Sequence, residues 1–334
     1  MKLNLILFFA ICLFFFSCDF PAEEKKQHID DMAWVPSNTF KMGSNNQNAS
    51  PAETPAHEVM IKGFWIDKTE VTNFQFKEFI EATNYITVAE RKLDWEKLKQ
   101  QLPEEIVKPH DSLFVPGSIV FIPPKQSINP TNPSLWFYWV AGANWKHPKG
   151  PKSNLNQRWD HPVVHIAYED ALAYADWKGK RLPTEAEWEL AAQSNITNNP
   201  WENLGAKALS NTFQGVFPYK NTLKDGFLET SPVKYFPPND LGVYDMIGNV
   251  WEWTSDWYNL SYYRNLDSTK PLDNPVGAVS FYDPFEPLNP KRVIKGGSFL
   301  CATDYCSNYR TSARLGSAID TGISHVGFRC VKNK

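Results

Sequence analysis

The chain has 334 residues, 42% of them hydrophobic and 14% aromatic, enough apolar surface for one large domain or two modest ones. Its net charge of −3, without a clustered basic field, gives no electrostatic ground for a nucleic-acid partner. Twenty-five prolines and 17 glycines, spread along the chain with no repeat at solenoid periods, exclude a repeat protein or a helical bundle and predict long irregular connections.

Met1-Lys2 and the apolar run through Phe16 have the basic tip and short hydrophobic stretch of an export signal, too short to span a bilayer comfortably. Ser17-Cys18-Asp19 follows, resembling the cleavage box of bacterial lipoproteins, in which the cysteine carries the lipid. The expectation is a signal peptide over residues 1–17, lipidation at Cys18 and a polar tether over 18–31. The protein would then be anchored in the bacterial cell envelope, on its periplasmic or surface side. The alternative is an ordinary secretory peptide with an incidental cysteine. Cys12 leaves with the signal, so the domain over 32–334 keeps Cys301, Cys306 and Cys330.

Residues 32–42 alternate apolar and polar around Pro36 and predict one or two short strands ending at Gly43-Ser44; Val59 to Ile66 predicts another. Thr72 to Thr83 predicts a helix, with Thr72 and Gln75 as a capping box, Phe76, Phe79 and Ile80 as its buried stripe, and Asn84 as its stop. Prolines break the pattern from Lys92 to Pro133, which reads as a long surface excursion. Tyr168 to Lys178, closed by Gly179, is a second helix. Thr184 to Gln193 is a third, with Thr184 and Glu187 as its capping box and Trp188 facing inward. Turns dominate beyond. The whole reads as a mixed α+β domain, low in regular structure, with its function on loops.

Lys295 to Arg314 draws most attention. It holds Cys301 and Cys306, four residues between them, behind Gly296-Gly297 and ahead of Arg310 and Arg314. Two soft thiolates can hold Cu(I) with few other ligands. The same pair can form a structural disulfide in an oxidising envelope, although so short a loop gains only about 2 kcal/mol by chain entropy, or it can be inert. The arginines would favour thiolate if close, or are ordinary ion-paired residues. Asp225-Gly-Phe227 and Asp245 to Glu252 mix carboxylates with tight turns, which suits a hard cation or simply a turn. His161 and His165 are four apart, but Pro162 breaks the helix a zinc pair would need. No partner is legible for His57, His110, His147 or His325.

Several segments, in order over about residues 32–330, resemble the formylglycine-generating enzyme (sulfatase-modifying factor) family. They include Phe40-Lys-Met-Gly-Ser44, Asp67-Lys-Thr-Glu-Val-Thr-Asn73, Gly142 to Pro151, His161-Pro-Val-Val-His165, Gly179 to Glu189, Gly248 to Trp257, Gly296-Gly-Ser298 and Gly327-Phe-Arg329. The resemblance implies an α+β fold related to C-type lectin-like domains. It implies a copper-dependent oxidase that uses molecular oxygen to convert a cysteine in a sulfatase Cys-x-Pro-x-Arg segment to formylglycine. Cys301 and Cys306 would bind Cu(I), with Ser298 and Trp251 lining the active site.

Two structural calcium sites are implied, one from Asn211, Thr212, Asp225 and Phe227, the other from Asp245, Gly248, Val250 and Glu252. Thr212, Phe227, Gly248 and Val250 would give backbone carbonyls. The chain departs from the family at Ala302, often His, and Asn308, often Arg, positions that bear on substrate grip. Cys330 has a partner in some relatives where this chain has Ala175, and so is expected to be a buried free thiol. The implied partners are an unfolded sulfatase segment, oxygen and, through the lipid, the membrane, with the protein a monomer. The family's breadth keeps open a second function, a non-catalytic envelope lipoprotein using the fold as a binding scaffold. An iron-dependent sulfoxide synthase is third, lacking a separate helical domain with iron-binding histidines.

Overall fold

The chain enters its fold at Asp31, whose carbonyl accepts from the Lys68 N–H at 3.0 Å. The structure, a computed structural model, describes residues 31–193, 208–267, 269–303, 305–306 and 308–334. The segments expected to be a signal peptide and a tether, with Cys18, lie outside the described residues as far as Asp30.

β1 (Met32–Val35) and β2 (Asn38–Met42) flank Pro36 as expected. The single strand expected over Val59–Ile66 is two, β3 (His57–Ile61) and β4 (Phe64–Asp67), which pair with β2 and β1 respectively. Gly63 makes the corner between them, where a Cβ would lie 2.4 Å from the Trp34 ring.

α1 (Asn73–Thr83) follows its capping box: the Thr72 hydroxyl accepts from Gln75 N–H at 3.2 Å and Gln75 Oε1 accepts from Thr72 N–H at 2.9 Å. Asn84 closes it in the left-handed region, φ 54°. Phe76 and Phe79 are buried and Ile80 packs at the edge of the same core.

The excursion is more ordered than its prolines suggest. It contains the short α2 (Trp95–Lys99) and β5 (Gly117–Phe121), which pairs antiparallel with β6 (Phe137–Ala141). Pro116, Pro123, Pro124, Pro130 and Pro133 all fall outside the two strands, where no ladder donor is lost. The hairpin is also fixed to the body: the Ser118 hydroxyl donates to the Gly322 carbonyl at 2.5 Å and lies 2.6 Å from His165 Nδ1.

α3 (Tyr168–Trp177) ends before Gly179 at φ 63°, and all eight residues of α4 (Glu185–Ala192) are buried. Then come the short pair β7 (Gly215–Val216) and β8 (Lys220–Asn221), the long β9 (Trp251–Trp257), β10 (Leu272–Asp273), β11 (Lys291–Lys295), β12 (Leu315–Ala318), β13 (Val326–Gly327) and β14 (Val331–Asn333). Turns dominate beyond α4 as expected, and the short strands among them include a four-stranded sheet in the order β12-β11-β9-β13. β14 returns to β4, so both ends of the fold share one strand.

One apolar core joins α1, α3 and the four-stranded sheet through Phe76, Phe79, Tyr174, Trp253 and Phe328, and it includes Cys301 and Trp251. Cys330 is buried there as a free thiol, in the same cluster as Ala175, as expected.

Candidate active site

The cysteine loop begins where β11 runs into Gly296-Gly297, both in the left-handed region at φ 93° and 74°. A Cβ on Gly296 would come within 2.9 Å of the Trp188 ring, and one on Gly297 within 3.0 Å of the Tyr309 backbone. Two consecutive glycines therefore turn the chain inward at a place too tight for side chains. The turn is then locked by main-chain bonds, from Cys301 N–H to the Ser298 carbonyl and from Cys306 N–H to the Ala302 carbonyl, each 2.9 Å.

This folding brings Cys306 Sγ to 3.3 Å from Cys301 Sγ, and the Ser298 N–H donates to Cys301 Sγ at 3.4 Å. Cys301 is buried in the core, and Cys306, partly exposed, packs against the same core. The Cys306 thiol, and then burial, push Cys301 well above the usual thiol range. Neither sulfur is in a disulfide. Among the described residues no cluster of three or more His, Cys, Asp or Glu side chains converges. A pair of soft donors with no third side-chain ligand of those kinds fits a low-coordinate Cu(I) better than zinc or a hard ion.

The wall is aromatic. Tyr305, between the two cysteines, stacks on Phe217 with ring centroids 4.4 Å apart and planes 15° apart; Trp136 meets Phe217 edge-on at 5.6 Å and Tyr305 at 6.0 Å. Trp136, Phe213, Phe217, Phe299, Leu300 and Ala302 form one apolar cluster. Trp251 is buried in the core beside Cys301 and Tyr309, and its N–H donates to the His325 carbonyl at 2.9 Å. Ser298 is fully buried and its hydroxyl accepts from Leu300 N–H at 3.2 Å, which holds the turn. Ser298, Cys301 and Cys306 therefore lie together, and Trp251 belongs to the same apolar core as Cys301. The aromatic residues Trp136, Phe217 and Tyr305 carry no sequence signal beyond the position of Tyr305.

Arg310 and Arg314 are both ion-paired. Arg310 makes a two-pronged pair with Glu53 at 2.6 and 2.8 Å, and Arg314 a buried one with Glu185 at 2.8 Å on each arm. Of the two readings of these arginines, the ion-paired one is seen: each guanidinium is drawn to a carboxylate that burial leaves in need of a partner.

Of the first set of oxygen ligands, the Asp225 carboxylate and the Thr212 carbonyl meet. Asp225 accepts from Thr212 N–H and Phe227 N–H, both at 3.0 Å, and the Gln214 amide nitrogen bridges Asp225 and the Thr212 carbonyl. Asn211 Oδ1 is buried with no hydrogen-bond partner. A carboxylate and a carbonyl around one point, with an unpartnered amide oxygen on the residue next to Thr212, are the donor types a hard cation takes.

The second set is less open. Both oxygens of Glu252 are held by Arg329 at 2.7 Å, and one also by the Trp188 indole N–H at 2.7 Å. Asp245 accepts from Lys234 N–H at 3.0 Å. Burial pushes Asp245 up to about 6 and Glu70 well above the carboxylate range, Asp245 adding to the rise at Glu70. Glu70 Oε2 has no hydrogen-bond partner and Asn249 Nδ2 donates to its other oxygen at 3.0 Å. The cation facing this pocket is the Arg329 guanidinium, 3.9 Å from Glu70 Oε2.

The histidines are separately engaged: His161 with Thr230 at 2.9 Å, His165 with Ser118 and with the Pro148 carbonyl at 2.9 Å, His147 with the Ser153 carbonyl at 2.6 Å, and His57 with the Pro55 carbonyl at 3.1 Å. His325 stacks on Phe137 at 5.2 Å, and burial pushes it down to about 3.

Comparison with known proteins extends this picture. Residues 18–334 match the model of the sulfatase-modifying factor enzyme 1-like domain. The chain is 41% identical over 307 residues to a Mycobacterium tuberculosis protein named formylglycine-generating enzyme, covering 91% of this chain and 98% of that one. It is 33% identical over 305 residues to a cattle protein named inactive C-alpha-formylglycine-generating enzyme 2, covering 90% and 87%. Among solved structures, PvdO from Pseudomonas aeruginosa matches with a TM-score of 0.58 at 23% identity, over 91% of this chain and 94% of that one, which bears on fold alone.

Proposed function

The chain belongs to the sulfatase-modifying factor, or formylglycine-generating enzyme, family, and on that premise we propose that it oxidises a cysteine of a sulfatase polypeptide to formylglycine at Cys301 and Cys306. The observation that carries the proposal is the pair of free thiols 3.3 Å apart, one buried and one partly exposed. The reading extends to Cu(I) as cofactor, molecular oxygen as oxidant and a Cys-x-Pro-x-Arg segment as substrate.

Converting the thiol-bearing methylene of a cysteine to an aldehyde removes two electrons from the β-carbon and releases the sulfur as hydrogen sulfide. Oxygen takes four electrons to water, so an external thiol reductant supplies the other two. Copper would supply a soft Lewis-acidic centre for the substrate thiolate and for oxygen.

Cys301 and Cys306 hold the ion. The Ser298 N–H steadies the Cys301 sulfur, and the Gly296-Gly297 turn sets the angle at which the loop enters. Tyr305, next to Cys306 in the chain, is held in place by its contacts with Phe217 and Trp136. Titrating the reduced protein with Cu(I) against a competing chelator tests this: one tightly held equivalent supports it. No tight binding would favour the scaffold reading, which the match to a relative named inactive keeps in play.

Structural calcium at the Asn211–Thr212–Asp225–Phe227 set, and at Asp245 with the Gly248 and Val250 carbonyls and Glu252, belongs to the same proposal. At one hundred times its Kd calcium should add about 2.7 kcal/mol of stability, read as a rise in Tm over EDTA that shrinks in Asp225→Asn. No rise would remove the calcium assignment. The envelope location is likewise a proposal, resting on Ser17-Cys18-Asp19. Metabolic palmitate labelling that persists in Cys18→Ser would sink it.

A further inference from the structure

The β5–β6 hairpin is paired on one side only. β5 is tied to the segment before β13: Ile119 N–H donates to the Gly322 carbonyl at 3.1 Å, Ser324 N–H to the Ile119 carbonyl at 2.9 Å, and Phe121 N–H to Ser324 Oγ at 3.0 Å. Within the hairpin, Ile122 N–H donates to the Trp136 carbonyl and Gly142 N–H to the Pro116 carbonyl, both at 2.8 Å. These two bonds fix the alternation. Residues 136, 138, 140 and 142 turn their main chain toward β5, and Phe137, Trp139 and Ala141 turn theirs away. Among the described residues no hydrogen bond engages those outward groups.

Free edges are normally blunted by lysine, proline or a bulge. β6 reads Phe-Tyr-Trp-Val-Ala, has none of these, and leaves Tyr138 and Trp139 each 43% exposed. The edge also leads to the thiols. Trp136, immediately before β6, meets Tyr305 at 6.0 Å, and Phe137 stacks on His325, whose carbonyl holds Trp251.

We propose that the sulfatase segment flanking the reacting cysteine adds to the free edge of β6 as a further strand, held through its main chain. The proposal rests on the reaction assigned above. Main-chain pairing suits an unfolded substrate, because it supplies affinity while asking little of the flanking side chains. The aromatic wall at the Trp136 end then receives the reacting residue.

The test uses a twenty-residue peptide with serine for the reacting cysteine, so that binding is read without turnover, by fluorescence anisotropy. Trp139→Pro removes an outward N–H without touching the β5 ladder, and Trp139→Ala is its control for the lost side chain. One lost hydrogen bond predicts about five-fold weaker binding of the long peptide to Trp139→Pro than to Trp139→Ala. A five-residue core peptide should bind both equally.

Independently of any variant, N-methylating the flanking residues of the long peptide one at a time should weaken binding at alternate positions only. Equal binding to the two variants, no alternation in the scan, or a dimer of this chain that buries β6 would each overturn the proposal. Turnover of a cysteine peptide by the unaltered protein is measured alongside; its failure would count against the reaction, and the binding pattern would still decide the strand.

Discussion

Replacing Cys301 or Cys306 with alanine, one at a time, should each lower conversion of a sulfatase peptide by at least about a thousand-fold, the scale seen when one member of a catalytic unit is removed. The two sulfurs lie 3.3 Å apart and would hold the same copper ion under the proposal, so the effects should not add. The double variant should be no worse than either single one. Cys330→Ala is the control: Cys330 is a buried thiol whose acidity is suppressed by burial, and its loss should leave the reaction in place. Turnover that survives either single change would contradict the assignment. Thermal unfolding of each variant separates lost chemistry from lost fold.

Arg329→Met should be the most damaging change to stability, by about 3–5 kcal/mol, the cost of stranding buried charge. Arg329 is fully buried and holds Glu252 with two bonds of 2.7 Å, while its remaining N–H groups donate to the Asp67 and Tyr244 carbonyls at 3.2 and 2.9 Å. Glu70 and Asp245 face the same guanidinium.

The loss should depend on pH in a definite direction. Asp245 and Glu70 already have folded pKa values raised above their unfolded ones by burial, and removing the cation raises them further. The folded state then binds more protons than the unfolded state between about pH 4 and the raised values, so the variant loses stability as pH rises through that window. Urea unfolding in EDTA at pH 5.5 and pH 8 measures both effects. Pairing the change with Glu252→Gln should recover part of the loss, since one stranded charge is gone. Equal stability of Arg329→Met and the unaltered protein at pH 8 would contradict this account of the core.

What the sequence made legible was what short range decides. Thr72 with Gln75 and Thr184 with Glu187 marked two helix starts because a capping box spans three residues. The cysteine loop was legible because its two glycines and two thiols lie within eleven residues of one another.

The rest depends on pairs far apart in the chain. Glu53 and Arg310 are separated by 257 positions, and Arg329 and Glu252 by 77. Nothing in the sequence around Arg310 shows that Glu53 will pair with it. The β5–β6 hairpin was hidden because its prolines, which mark turns, also break the window in which alternation is read. The corner at Gly63 was hidden for the opposite reason, since an apolar run continues across it while the strands on either side join different sheets. The aromatic wall joins residues 136, 217 and 305, which only the fold brings together.

The most direct test of the central claim is the product itself. The reduced protein, loaded with one equivalent of Cu(I), is incubated in air with a thiol reductant and a Cys-x-Pro-x-Arg peptide, and the peptide is analysed by mass spectrometry and by trapping with a hydrazine. The account predicts many turnovers to an aldehyde that forms the hydrazone, with hydrogen sulfide released in equal amount. Unchanged peptide, or only its disulfide, under conditions where the protein holds its copper would contradict it.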